Sequence, residues 1–474
     1  MSVDVLKPEY NFPRMSERFR SCSLEQPFLM PPSLQDWLPP DHLARFVAEI
    51  VDGLDLRAIL RQYDRKDRRG AAGYHPAMLV RVLLYAYCIG EVSSRKIERA
   101  THEDIAFRYL AANQHPDHDT IAHFRREQLE RLGELFAQGL ELCREAGLVK
   151  VGQVMLDGTK IAANASRRKN MNQQRLQQQG DELKRKVEEL LRQAESVDAA
   201  EDAEFGKGRR GDELPPELAD PQRRLERIQE AKARLEERNR QRAKEAQEER
   251  ERQKASGEAA TAAQKKRWQR ARQAVAEGQG SINLTDMESQ LMKDGNRGGY
   301  VQAYNAQAAV LENQVIVAVE ITNEAADKQQ LVPMTGKVKQ ALGSLPTAVL
   351  ADSGYFSEEA VTEPSLEGIE LLVPPDRSKP GDELKPNAPR GDAARKMREK
   401  LLREEAAAAY RLRGQTIEPV FGQIKEGRGF RRFLFRGLTQ VRAEWRLIGL
   451  THNLLKLFRR RCELRELKPT RILA

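Results

Sequence analysis

Apolar residues in the first third of the chain recur at helical spacing. Between 31 and 148, large apolar side chains return every three or four positions, which is the pattern of amphipathic helices. The clearest series is Leu43, Phe46, Val47, Ile50 and Val51. A long apolar run stops at Gly90, a residue type that commonly ends a helix. The pattern predicts an all-helical domain over 31–148, preceded by an arm over 1–30 that has no sustained period.

The segments after Gly90 have short connections and basic faces. Ser94 precedes one helical run and Asp119 or Thr120 precedes the next, where each can cap a helix N-terminus. The words "SSRKIER" and "DTIAHFRRE" are similar to the connections of helix-turn-helix folds, in which a helix N-terminus presents side chains to a DNA groove. An ordinary helical bundle with solvated charges explains the same pattern, so both interpretations stay open.

The period changes from helical to extended after residue 149. Val151, Val154 and Leu156 lead into Asp157, and Ile161 restarts an extended run after a Gly-Thr pair. This spacing predicts a strand with an acid at or near its end, within a core segment over 149–169.

A charged segment over 170–282 interrupts this core. It carries two narrow apolar stripes on either side of the Gly- and Pro-bearing stretch 197–217, which predicts two long helices in an antiparallel, coiled-coil-like hairpin. Beyond 235 the stripe fades, which favours a solvated or frayed helix there. The stripes are Leu183, Val187, Leu190 and Leu191, then Leu218, Leu225, Ile228 and Leu235.

Strands and helices alternate over 283–460. Two strand patterns surround a turn at Glu312 and Asn313, and a helix, the strand 349–351, a short helix and the strand "IELLVPP" follow. The remainder is helical, with a tail over 461–474. Without the insertion, this order is that of the ribonuclease H fold, whose first and fourth strands lie side by side. The sequence therefore predicts an α/β chain with a ribonuclease H-like mixed-sheet core, an all-helical N-terminal domain and a charged helical insertion.

Three acids fall at positions that such a fold would bring together. Asp157 belongs to the first strand, Asp352 follows the fourth strand, and Glu418 lies in the helical remainder. Clustered carboxylates repel one another unless a cation neutralises them, and magnesium accepts few carboxylates while keeping water. Two such ions can activate a nucleophilic oxygen and stabilise the leaving oxygen of a phosphodiester. Taken singly, each acid also suits a structural role: a turn for Asp157 and Asp352, and a helix first turn for Glu418.

Composition favours a polyanionic partner and a reducing compartment. The 474 residues carry a formal charge of +9, and nucleic acid is the leading candidate partner. The four cysteines are too scattered for a paired zinc motif or a disulfide framework. No apolar run approaches the length of a membrane span, and the N-terminus lacks the apolar core of a signal peptide. We expect a cytoplasmic protein without membrane contact.

Five short sequence motifs, taken in order, resemble those of the DDE transposases of bacterial insertion sequences, in the branch with an InsH-type helical N-terminal domain. They are "MLDGTKIAANAS", "GYVQAYNAQAAV", "LADSGYFS", "TIEPVFGQIKE" and "HNLLKL", and the resemblance covers about 25–170 and 283–460. It implies that Asp157, Asp352 and Glu418 are the catalytic acids and hold two Mg²⁺ ions, with Mn²⁺ as a substitute. It also implies binding to terminal inverted repeats and target DNA. Because two DNA ends must be held together, a homodimer on DNA is expected.

The same family often carries a tyrosine, arginine, glutamate and lysine signature around the third acid. Tyr410, Arg413, Glu418 and Lys425 match it, and by resemblance its tyrosine and basic residues hold the phosphates at the element end. Four residues stand between Arg413 and Glu418 where the family has three, so Arg411 is an alternative to Arg413. Lys425 lies seven residues after Glu418, two helical turns on, and its alternative role is that of a solvated helix residue.

The segment "GRGFRRFLFRG" interleaves arginines with phenylalanines. Guanidinium groups bind phosphates and aromatic rings stack on bases, which favours a DNA contact. The alternative is a bend whose phenylalanines enter the core while the arginines stay solvated. Trp268 in the insertion likewise either stacks on an unpaired base, as in some related transposases, or packs on the neighbouring helix. The arginines of the segment are Arg428, Arg431, Arg432 and Arg436.

The resemblance implies a transposase that cleaves phosphodiester bonds at the ends of its element with metal-activated water. The freed 3′ hydroxyl is then joined to target DNA. Two alternatives stay open: a structure-specific nuclease with the same acids, and a catalytically inactive DNA-binding or scaffold protein. Strand joining excludes the first alternative, and the effect of substituting an acid tests the second.

Overall fold

The computed structural model describes residues 33–64, 73–205, 216–255, 260, 262–277, 279–293, 298–377 and 391–466. The predicted arm over 1–30 lies outside the described residues, as does the part of the predicted tail that follows residue 466.

The N-terminal part is helical, as its periodicity predicts. Gly90 ends the fourth helix with a left-handed φ of 82°, which confirms its predicted role. The helices are α1 (Leu34–Trp37), α2 (Leu43–Gly53), α3 (Arg57–Asp64), α4 (Pro76–Ile89), α5 (Ser94–Glu103), α6 (Ile105–Leu110) and α7 (His118–Glu145).

The predicted caps of α5 and α7 are wrong by one to three positions. Ser93, not Ser94, caps α5. Asp117, rather than Asp119 or Thr120, caps α7, and it accepts the Thr120 N–H at 2.6 Å. A capping side chain lies two or three positions before the N–H that it accepts, whereas the residues favoured by the sequence already belong to the first helical turns.

The strands form one mixed sheet and one small ribbon. They are β1 (Gln153–Ala162), β2 (Asn170–Asn172), β3 (Ser281–Asn283), β4 (Gln290–Lys293), β5 (Tyr300–Leu311), β6 (Ile316–Thr322), β7 (Ala348–Ala351) and β8 (Glu370–Leu372). β5 pairs antiparallel with β1, β4 and β6, while β1, β7 and β8 pair parallel in that order; β2 and β3 form the ribbon. The predicted adjacency of the first and fourth core strands, β1 and β7, is confirmed.

The first core strand is longer than its pattern indicates. The sequence places an acid at or near the strand end and a turn at Gly158, whereas β1 runs on to Ala162. β1 is extended because β5, which comes much later in the sequence, pairs with it continuously from Val154 to Ala162. Asp157 is therefore inside the strand rather than at its end.

The insertion contains the predicted antiparallel helix pair and a third helix. Gln173 of α8 (Gln173–Phe205) contacts Glu236 of α9 (Pro216–Ala255), and Gln177 contacts Lys232, so the two helices run in opposite directions. The prediction of a solvated or frayed helix beyond 235 is wrong, because a third helix, α10 (Ala262–Ala276), packs back along α9. Trp268 is 9% exposed and donates its Nε1–H to Glu249 at 2.9 Å, so it packs on the neighbouring helix.

The last helices join the two parts of the chain. They are α11 (Leu331–Leu342), α12 (Glu358–Val361), α13 (Asp392–Leu401), α14 (Glu404–Gly422) and α15 (Leu438–Glu466). α15 packs along α7 and against β6, and its buried Trp445 donates to the Gln307 carbonyl oxygen at 2.9 Å. One apolar core therefore continues from the N-terminal helices to the sheet.

Among the described helices none alone is long and apolar enough to cross a membrane; α4 and α5 meet that test only together, with a bend of 103° between them.

Candidate active site

Two of the predicted acids lie where the pairing of β1 with β7 ends. The parallel pairing of β1 with β7 ends at Leu156 opposite Ala351, and an aspartate comes directly after each of these two residues. In-register residues of neighbouring strands lie side by side, so the backbone brings Asp157 and Asp352 together. The pairing of β1 with β7 therefore places two acids side by side that are far apart in the sequence.

The Asp157 carboxyl lies in a strongly charged, poorly solvated setting. The pKa of Asp157 is raised to about 6, chiefly by burial, and the negative charges of Asp352 and Asp327 contribute to that rise. The Arg413 guanidinium opposes this rise, with Nη1 lying 3.3 Å from Asp157 Oδ2. The Gly158 N–H also lowers the pKa by donating to Oδ1 at 2.8 Å.

A third acid near this pair, Asp327, is one that the sequence analysis missed. It lies between β6 and α11, and its Oδ1 accepts the side-chain N–H groups of Asn305 and Gln307, each at 2.7 Å. The Lys160 ammonium lies 3.8 Å from the same oxygen. A signal was present in β5, where Asn305 and Gln307 stand two positions apart in a largely apolar strand and share one face of the sheet.

Two glycines let side chains lie close to the backbone at this site. A Cβ on Gly158 would lie 2.6 Å from Asp327 Oδ1 and would overlap the Gln307 amide. A Cβ on Gly354 would lie 2.9 Å from Asp352 Oδ1 and 3.5 Å from Asp327 Oδ2. Asp327 and Asp352 therefore lie close to backbone positions where a side chain larger than that of glycine would crowd them.

The third predicted acid, Glu418, does not join this group. It is exposed on α14, and its carboxylate lies beside Gly414. Arg413 instead faces Asp157, and five residues along a helix correspond to a rotation of about 140°. Within the described ranges, no three His, Cys, Asp or Glu side chains are grouped closely enough to hold a metal ion as they stand.

Two family models match the chain. The model described as "Transposase domain (DUF772)" matches residues 32–127, and the model described as "Transposase DDE domain" matches residues 376–458. The chain belongs to the DDE transposases of insertion sequences. Comparison with curated proteins and with solved structures gave no match. Family membership implies DNA as the partner of this transposase, and the family generally uses a divalent metal.

The signature residues of the transposase lie next to Asp157, apart from Glu418. The Arg413 guanidinium carbon lies 5.8 Å from the centre of the Tyr410 ring, while Arg411 is exposed. Lys425 is half-buried in a π-helical turn after α14, and its Nζ donates to Thr159 Oγ1 at 3.1 Å. It is therefore anchored to β1 rather than solvated.

The arginine and phenylalanine segment divides between core and surface. Arg428, predicted to contact DNA, is only 5% exposed and donates to Thr451 Oγ1 at 2.8 Å, so it is a core residue in this structure. Phe430 and Phe433 are also buried, which supports the alternative that the phenylalanines enter the core. Three arginines stay exposed: Arg431, which pairs with Glu426; Arg432; and Arg436, which donates to the Asn164 carbonyl at 2.8 Å.

Proposed function

We propose that this transposase cleaves phosphodiester bonds at the ends of its element and joins the freed 3′ hydroxyl to target DNA. The observation that carries the proposal is the meeting of Asp157 and Asp352 at the end of the β1–β7 pair. The strand order also supports a ribonuclease H-like core. The first three core strands, β1, β5 and β6, are antiparallel, and β7 and β8 then extend the sheet parallel to β1. Strand joining distinguishes this activity from that of a nuclease.

The residues present fit a hard divalent cation. Asp157 and Asp352 offer carboxylate oxygens, and Asp352 lies so close to Gly354 that a side chain there would crowd its Oδ1. Mg²⁺ binds through one or two carboxylates and completes its shell with water and phosphate oxygens. Bound there, Mg²⁺ or Mn²⁺ would supply charge neutralisation and an activated water for phosphodiester cleavage. Glu418 stays in the proposal as the third acid of the family motif, and α14 must shift for it to join the others.

The chain's own groups suit a bound DNA end. Arg413 and Lys425 lie beside β1 next to Asp157, where cationic groups can hold the phosphates that flank the scissile bond. Tyr410 lies beside Arg413 and completes this surface. Arg431, Arg432 and Arg436 are exposed close to the end of β1, where Arg432 forms an isolated bridge with Ala162. Arg428 is left out of this surface because its side chain is buried.

The N-terminal helices are proposed to bind the terminal inverted repeats. α4 and α5 are bent by 103° across a four-residue break, which falls in the range of helix-turn-helix pairs. Arg95 and Arg99 are exposed on α5, where they can reach phosphates. We propose a cytoplasmic homodimer on DNA, because both element ends must be held during joining.

Joining of a pre-cut end tests the proposal. A labelled duplex with the element's terminal sequence and a free 3′ hydroxyl is incubated with plasmid target, Mg²⁺ and the full chain. Transfer of label into the plasmid is expected, with loss of transfer but not of DNA binding in Asp157→Asn. Asp376→Asn is the matched control, because Asp376 is a partly buried carboxylate paired with Arg398 elsewhere. Cleavage without any joining would contradict the proposal.

A further inference from the structure

Asp327 has one oxygen held in place and one left open. Its Oδ1 accepts two amide N–H groups, from Asn305 and Gln307. Within the part of the chain that the structure describes, no donor contacts its Oδ2. Two donors on one oxygen fix the direction of a carboxylate, as residues around a metal site orient its ligands. The second oxygen is therefore a preoriented electron-pair donor.

The open oxygen and Asp352 lie close to the same glycine. Asp327 Oδ2 and Asp352 Oδ1 lie 3.5 Å and 2.9 Å from the position that a Gly354 Cβ would take. Two carboxylates that lie this near to each other repel one another unless a cation neutralises them. A side chain at 354 would crowd both oxygens, so glycine lets both lie close to the same point.

A buried polar group beside Asp327 independently indicates a ligand. Asn305 is fully buried, and its Oδ1 has no hydrogen-bond partner. This oxygen and Asp327 Oδ1 lie 2.8 Å and 2.6 Å from the place of a Gly158 Cβ, so both lie against the same glycine. Leaving a buried acceptor unpaired is costly, and carbonyl and carboxylate oxygens together are the ligands that hard cations prefer.

Lys160 is the protein's own counter-charge at this position. Its Nζ lies 3.8 Å from Asp327 Oδ1, which is beyond hydrogen-bonding distance. A pair at that separation is held weakly, so a divalent ion can replace it without breaking a hydrogen bond. Glu418 meanwhile faces solvent and contributes no negative charge at this place.

We propose that Asp327 is a carboxylate ligand of the same divalent-cation site as Asp352, oriented by Asn305 and Gln307. The proposal rests on the proposed function, since it assigns one more ligand to that site. It makes β6 and the loop after it part of the active site, in addition to the strands and helix that carry the three acids of the family motif.

Direct Mn²⁺ binding to the DNA-free chain tests this assignment without using activity. Free Mn²⁺ is measured by its paramagnetic resonance signal during titration of the wild type, Asp327→Asn, Asp352→Asn and Asp376→Asn. An asparagine at 327 keeps an oxygen that accepts the two amide N–H groups, so only the charge is removed. Asp376 is a suitable control because its side chain is 14% exposed, against 18% for Asp327.

We expect Asp327→Asn and Asp352→Asn each to weaken Mn²⁺ binding by about tenfold or more, with Asp376→Asn unchanged. Gly354→Ala is a second test that keeps both carboxylates, and its methyl group should weaken binding by displacing Asp352 Oδ1, from which it would lie only 2.9 Å. Wild-type affinity in Asp327→Asn and Gly354→Ala, with loss in Asp352→Asn, would overturn this inference and leave the proposed function intact. If the wild type binds no Mn²⁺, or Asp352→Asn binds normally, the cation site itself is refuted.

Discussion

Replacing Gly90 by alanine probes the contact between the two regions that match the transposase families. Gly90 ends α4 with a φ of 82°, and its Cα faces the backbone of Arg428. A Cβ there would lie 2.9 Å from the Arg428 Cα and carbonyl carbon, and it would overlap the carbonyl oxygen. These are backbone atoms, and Arg428 is held by its own buried hydrogen bonds, so the neighbour cannot move aside cheaply.

The expected cost has two parts. A left-handed conformation costs a non-glycine residue about 1–2 kcal/mol. Overpacking against a well-packed neighbour costs about 1–3 kcal/mol more. We therefore expect Gly90→Ala to lower the free energy of unfolding by about 2–5 kcal/mol, a large share of the roughly 5–15 kcal/mol of a typical domain.

Urea unfolding followed by circular dichroism measures this loss, and Gly147→Ala is the matched control. Gly147 also has a left-handed φ, of 71°, but a Cβ there would meet no atom within 4 Å. Its substitution should therefore cost only the conformational part, about 1–2 kcal/mol. Equal losses in the two variants would refute the close contact between α4 and the Arg428 backbone.

Three further predictions concern pH, the insertion and DNA binding. Burial raises the pKa of Glu444 to about 7 from an ordinary 4.5, so the folded chain holds a proton that the unfolded chain releases in that window. Stability should fall by up to about 3 kcal/mol as pH rises from 4.5 through 7, and Glu444→Gln should flatten that slope in urea titrations at several pH values. Trp268→Ala should cost about 3 kcal/mol locally, seen as faster amide exchange in α10; unchanged protection there would contradict its packing on α9. Arg432→Ala should weaken DNA binding and reduce its salt dependence by about one charge, whereas Arg428→Met should alter stability and leave the salt slope of the folded protein unchanged.

Pairings that join neighbouring strands could be predicted from the sequence. The order of strands and helices was sufficient to place Asp157 beside Asp352, because parallel pairing depends on topology more than on individual side chains. Gly90 ended its helix as predicted, because a left-handed residue after an apolar run has a local cause. The antiparallel arrangement of α8 and α9 was likewise predicted, from two apolar stripes separated by a Gly- and Pro-bearing stretch.

Features that depend on distant partners could not be predicted. β1 continues past Asp157 because β5 pairs with it, and no local pattern shows that pairing. Arg428 looks like a solvated DNA contact among neighbouring arginines, yet the packing of α4 and α15 around it removes it from solvent. Asp327 lies in a loop with no motif, and only the amides of β5 mark its place in the site.

The measurement that tests the central claim most directly is cleavage of a labelled duplex carrying the DNA that flanks this gene, with Mg²⁺. The wild type is compared with Asp352→Asn, and Asp376→Asn serves as the control. The account predicts a nick at one defined repeat end that Asp376→Asn retains and Asp352→Asn loses while still binding the duplex. Equal cleavage by the wild type and Asp352→Asn would contradict the account and leave Asp352 as a residue of the turn after β7.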